Sequence, residues 1–157
     1  MTKKILVAVD GSDNAMKAVE FVGDTIGESK EFEVTLCCIV EARSGLLEHG
    51  HMGVEQPDDE DWLARQREKV ESQVINPGQR ILTEKGVAAN AIHICTRLVS
   101  DAHSDAALAI IEEARSGNFD IVVLGRRGLS MLKEFLLGSV TSKVVHHLED
   151  RAVWIVG

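Results

Sequence analysis

Long apolar runs are missing from this chain of 157 residues. Its continuous apolar stretches, such as Leu36 to Val40 and Ile121 to Leu124, fall far short of the roughly 20 residues a membrane-spanning helix requires. Ile5 to Val9 is cut off by Asp10, so the amino end is not expected to act as a secretory leader either. Positive charge is also short. Seventeen bases against twenty-five acids leave a formal charge of −8, whereas a nucleic-acid binder is expected to show the opposite sign or a strong basic stripe. Cysteine is sparse: Cys37, Cys38 and Cys95 form an odd set without CxxC spacing. Neighbours in a strand point to opposite faces, so Cys37 and Cys38 are poorly placed to pair with each other. They are expected to be small buried hydrophobes in a reducing, cytoplasmic setting.

Several catalytic signatures are absent as well. There is no GxxxxGK[ST] loop, no GxGxxG after a strand, no GxSxG and no HExxH, which disfavours P-loop ATPases, dinucleotide oxidoreductases, hydrolases and zinc proteases. His49 and His51 have no acid or cysteine at ligand spacing and read as solvated loop residues. What is present is ordinary: 45% apolar and 27% charged residues, a balance that argues against disorder. The length suits one domain, 1–157.

Apolar runs alternate with helical patterns. Lys4 to Val9 is a β-rich run ended by the turn Asp10-Gly11-Ser12, and Ala15, Val19, Val22 and Ile26 then make one helical stripe stopped by Gly27. Val34 to Val40 reads as a second strand covered on both faces. Residues 41–57 have no period and read as an excursion. Asp58 to Lys85 is helical again, with a kink or break expected near Asn76 because Pro77 removes a backbone hydrogen bond. Ala91 to Cys95 reads as a third strand, Ser104 to Ala114 as a helix, Ile121 to Leu124 as a fourth strand, Ser139 to Leu148 as a helix and Ala152 to Val156 as a fifth strand. Strands separated by helices imply an α/β fold, a single open parallel five-stranded sheet with helices on both faces. Ligands in such sheets sit beyond the carboxyl ends of the strands, where the winding reverses.

That rule points to Asp10-Gly11-Ser12 and to the segment from Gly125 onward. Gly125 and Gly128 are three apart, and Gly138-Ser139 follows ten residues later at the head of a helix. Two glycines can expose a concave set of backbone N–H groups, and a helix start adds more donors and partial positive charge. Arg126, Arg127, Lys133 and Lys143 bring local positive charge to this acidic chain. The glycines can equally be a simple strand-to-helix turn, and Asp10 can be a cap on the helix after it.

The pattern Gly-x2-Gly-x9-Gly-Ser, at Gly125, Gly128, Gly138 and Ser139, resembles the ATP-binding signature of the universal stress protein family. Lys4 to Ser12 resembles that family's opening strand and turn, and Leu136 to Val140 with His147 its last helix. The resemblance covers essentially the whole chain and implies a Rossmann-like sheet in the order 3-2-1-4-5. It implies a site in which Asp10 approaches a ribose while Ala8, Val9 and Ile39 flank an adenine. The backbone of Leu124, Gly125 and Arg126 would border the nucleotide, and Arg127, Gly128, Gly138, Ser139, Val140 and Thr141 would surround its phosphates. Three departures stand out: Thr96-Arg97 where the family often has a glycine at the third-strand exit, no proline entering the last strand, and the Asn76-Pro77-Gly78 interruption of the long helix.

The expected function is that of a stress-response regulator. ATP, or AMP or ADP in its place, with magnesium shielding the phosphates, would occupy the crevice and bias conformation or association. Two alternatives stay open: a slow ATP hydrolase or self-phosphorylating enzyme with Ser139 as acceptor, and a nucleotide-free scaffold for an unidentified client protein. The resemblance also implies a homodimer or higher oligomer through Val153, Trp154, Ile155 and Val156, unless Trp154 simply packs onto the nearest helix.

Overall fold

Apolar runs at the middle of a sheet are buried on both faces, and this principle organises the chain. In a computed structural model, which describes residues 1–41, 60–99, 105–126 and 137–157, five parallel strands form one sheet. They are β1 (Lys3–Ala8), β2 (Phe32–Glu41), β3 (Ile92–Val99), β4 (Ile121–Gly125) and β5 (Ala152–Val156), in the order β3-β2-β1-β4-β5, as expected. β1 lies at the centre and the winding reverses on either side of it. Ile5, Val7 and Val34 are fully buried on one face and Leu6 and Val122 on the other. Each such side chain stabilises the fold by about 1.5–3 kcal/mol.

The first face is covered by α1 (Asp13–Ile26) and α3 (Asn76–Glu84), whose Val19, Val22 and Leu82 are fully buried against Ile5, Leu36 and Val123. The second is covered by α4 (Ala106–Ser116) and α5 (Ser139–His147), through Ile110, Ile111 and Val144. Helix α2 (Glu60–Val70) precedes α3 and has no buried residue of its own.

The expected disturbance near Asn76 takes a particular form. The helix does not break; it widens into a π-helical turn over Glu71–Ile75, in which the Asn76 N–H reaches back to the Glu71 carbonyl. Pro77 has no N–H for the Gln73 carbonyl four residues earlier, and a wide turn next to it relieves that loss. Gly78 then lets α3 lie close on β2, since a Cβ there would stand 3.0 Å from Leu36 Cδ1.

The third strand is longer than Ala91 to Cys95. It continues to Val99, with Thr96 and Arg97 paired in register with Cys38 and Ile39. Thr96-Arg97 is therefore inside the strand, and the strand exit, like His49 and His51, lies outside the described residues. β3 is an edge strand partly in solvent, and it carries polar residues at His93, Thr96 and Arg97 beside the exposed apolar Ile94 and Leu98. No helix among the described residues is long and apolar enough to cross a membrane.

Candidate functional site

Two close approaches of backbone shape the crevice at the carboxyl ends of β1 and β4. After β1, the Val9 N–H still pairs with the Cys37 carbonyl at 2.9 Å. The chain then turns through Gly11, whose φ of +80° is a left-handed value that favours glycine. An oxygen of Asp10 accepts the Ser12 N–H at 2.9 Å, and the Ser12 hydroxyl accepts the Ala15 N–H at 3.2 Å. Ser12, rather than Asp10, is thus the residue that caps α1. After β4, Gly125 touches the first turn of α1 so closely that a Cβ would meet Asn14 C at 2.8 Å and Ala15 N at 3.0 Å. Only a residue without a side chain fits there.

On either side of residues 127–136, which lie outside the described residues, the chain is fastened by backbone hydrogen bonds. The Arg126 N–H donates to the Val156 carbonyl at 2.6 Å, and the Gly138 N–H donates to the Arg126 carbonyl at 3.0 Å. Thr141 is buried, and its hydroxyl donates to the Gly125 carbonyl at 2.9 Å. Helix α5 starts at Gly138 without a side-chain cap. Its first intrahelical bond is the Ser142 N–H to the Gly138 carbonyl, at 2.9 Å. The N–H groups of Ser139, Val140 and Thr141 therefore fall outside the helix's own ladder and are directed beyond its start.

One cavity collects most of the residues that the sequence singles out. Ala8, Val9, Asp10, Ile39, Leu124, Gly125, Gly138, Ser139, Val140 and Thr141 all line it. Arg126 does not line it, and Arg127 and Gly128 lie outside the described residues. Ser12, in the turn that the strand-end rule points to, lines it as well, and four further lining residues carry no such signal in the sequence: Ala15, Cys37, Ala106 and Ile110. Ala15 follows that turn closely enough to be inferred with it. Ala106 and Ile110 sit four apart on α4, a spacing that puts both on one face, but only the folded sheet brings that face over β1 and β2.

The cavity has two chemical ends. Aliphatic side chains of Val9, Ile39, Ile110 and Leu124 make its apolar walls, while Asp10 supplies a carboxylate and the start of α5 supplies N–H donors. Such a site suits a ligand with a flat apolar part, a hydroxylated middle and an anionic end. Lys143, one turn into α5, is engaged elsewhere: its ammonium donates to the Asp105 carboxylate at the start of α4. With the Leu108 N–H as a second donor, this holds the Asp105 carboxyl below its usual pKa range, Lys143 contributing most. In the core beneath α1, burial foremost and then the charge of Asp10 push the Cys38 thiol up to about 11. At the far end of α5, His147 Nδ1 lies 2.9 Å from the Lys143 carbonyl. Among the described residues no group of three His, Cys, Asp or Glu side chains is arranged to hold a metal ion.

Comparison with known proteins gives a consistent result. The chain is 29% identical over 147 residues to the universal stress protein YxiE of Bacillus subtilis, covering 92% of each. In three dimensions it is similar to a universal stress protein solved in complex with cAMP (TM-score 0.61, 20% identity, covering 99% of this chain and 96% of that one). It is likewise similar to a universal stress protein from Archaeoglobus fulgidus solved in complex with dAMP (TM-score 0.57, 15% identity, covering 100% and 98%). The family model described as "Universal stress protein family" matches residues 1–156, and with the sheet order and strand-end crevice already described, the chain belongs to the universal stress protein family.

Proposed function

We propose that this chain binds an adenine nucleotide, ATP in the first place with AMP or ADP as lesser ligands, and uses it to regulate its own conformation or association in the cytoplasm. The observation that carries this reading is the joining of ten motif residues in one cavity with an apolar slot at one end and the uncapped start of α5 at the other. The base would lie between Val9, Ile39 and Ile110. Asp10 would accept the ribose hydroxyls, and the N–H groups of Ser139, Val140 and Thr141 would receive phosphate oxygens. Arg127 and Gly128, outside the described residues, keep their assignment to the phosphates through the sequence motif alone, and magnesium would share the phosphate charge. Two related proteins of known structure hold cAMP and dAMP, which is further support for an adenine ligand.

Titration calorimetry with ATP, AMP and GTP tests the proposal. Binding of adenine nucleotides in preference to GTP is expected; absence of heat from any adenine nucleotide at millimolar concentration removes it. Ser139 is exposed and lines the cavity, so γ-labelled ATP incubated with the chain and with Ser139→Ala separates binding alone from phosphoryl transfer.

The same reading includes a homodimer or higher oligomer through β5, an edge strand of the sheet, which would carry the nucleotide state to a client protein. Trp154 takes part less than its neighbours would. Its ring already meets Phe21 of α1 edge-on, with centroids 5.9 Å apart and an angle of 86°, whereas Ile155 is exposed. A strictly monomeric mass at high concentration, with and without ATP, rules the oligomer out.

A further inference from the structure

Cys37 and Cys95 are 58 positions apart in the sequence, yet sheet register makes them neighbours. They are directly opposed on the adjacent parallel strands β2 and β3, so both side chains point to the same face, where Cys37 is fully buried in the α4–α5 core and Cys95 packs against it half-buried. Adjacent strands lie about 4.8 Å apart, within the Cα separation of roughly 4.4–6.8 Å that a disulfide spans. Cys38, next in sequence, points into the opposite core.

We propose that Cys37 and Cys95 form a peroxide-oxidisable thiol pair, with Cys95 as the reacting sulfur and Cys37 as the one that resolves it.

Three features divide the roles. Cys95 sits on an edge strand with part of its surface in solvent, which gives peroxide a way in, whereas Cys37 has none. The Cys37 thiol donates a hydrogen bond toward the Cys95 sulfur, and this, with Arg97 nearby, lowers the pKa of Cys95 against opposing effects of burial and Glu113. The same hydrogen bond, followed by burial, holds Cys37 in its protonated form. The chemistry then balances in two steps. The Cys95 thiolate attacks one oxygen of hydrogen peroxide, the O–O bond breaks, and hydroxide leaves to become water, which gives a sulfenic acid. The Cys37 sulfur loses its proton and attacks the Cys95 sulfur, the S–O bond breaks, and a second water leaves. Two thiols and one peroxide become one disulfide and two waters.

The experiment uses the full folded chain, without added nucleotide, so that its result is independent of the proposed ligand. Hydrogen peroxide is added, excess reagent is removed, and thiols are counted after unfolding alongside intact mass and tryptic peptide mapping. The count is expected to fall from three thiols to one, with a dithiol reductant restoring all three. Cys37 and Cys38 share a tryptic peptide, so Cys38→Ala is mapped too and should form the cross-link to the same extent. Cys95→Ala, altered at a half-buried site that should not disturb folding, should keep both of its remaining thiols. Three unchanged thiols, a link to Cys38 in place of Cys37, or Cys95 oxidised to sulfinic acid without the link would each overturn the proposal.

Discussion

Replacing Gly125 with alanine adds one methyl group at a place where backbone, not side chain, stands in the way. The new carbon would lie 2.8 Å from Asn14 C and 3.0 Å from both Ala15 N and Asn14 O. A flexible side chain could rotate away. The first turn of α1 cannot, because it is fixed by the Ser12 cap and by the buried Ala15. Overpacking of this kind costs about 1–3 kcal/mol, and a rigid obstacle puts Gly125→Ala in the upper part of that range, about 2–3 kcal/mol. At this chain length each kcal/mol lowers Tm by about 2–4 °C. Gly78→Ala is the matched control. Its Cβ would stand 3.0 Å from Leu36 Cδ1, the end of a side chain that can shift at about 0.5–1.5 kcal/mol, while alanine returns about 1 kcal/mol of helix propensity. Near-neutral stability is expected. Urea unfolding read at equal m values compares the three proteins. Because Ser12 and Ala15 line the cavity, nucleotide affinity of Gly125→Ala should fall as well. A Gly125→Ala midpoint within about 0.5 kcal/mol of the parent, or an equal loss in Gly78→Ala, would refute the steric reasoning.

Two further outcomes follow from the same geometry. Ser12→Ala removes the cap of α1 and should cost about 1 kcal/mol in urea unfolding, while Ser12→Gly should cost only a few tenths; equal effects would mean the hydroxyl is not the cap. Asp105 has a lowered pKa when folded, so its contribution is complete above the unfolded carboxylate value of about 3.9 and is lost as pH falls through the folded value. Asp105→Asn, which preserves the ability to cap α4, should therefore flatten the acid limb of the stability–pH curve; an unchanged slope would show that the Lys143 pair does not contribute.

Much of the sheet was readable from residue order. β1 and β4 are short continuous apolar runs, and β2 nearly so, as strands covered on both faces must be, and the helices between them leave few compact arrangements. Edge strands were harder. The polar pair Thr96-Arg97 interrupts β3, so its strand-like pattern ends at Cys95 although its pairing with β2 continues to Val99. The site was legible where glycines constrain backbone, at Gly125 and Gly138, and at Asp10 through the turn after β1. Contacts that depend on which strands become neighbours left no local trace: the walls at Ala106 and Ile110, the ion pair of Lys143 with Asp105, and the apposition of Cys37 with Cys95. A period marks which face of an element is buried, but not what that face meets.

The wide turn at Glu71–Ile75 sets the rotational phase between the two halves of the long helix. Each residue advances a helix by about 100°, so deleting one there would swing α2 by roughly that angle while α3 stayed seated on β2. A different stripe of α2 would then be turned toward Ile94 and Leu98 on the rim of the sheet. The Gln73 carbonyl and the Val74 methyl, which lie 3.9 and 3.3 Å from where a Cβ on Gly11 would be, would be drawn away from the bend after β1. A single residue thus keys the outer helix to the mouth of the crevice, and length changes in this part of the chain should be tolerated far less than substitutions.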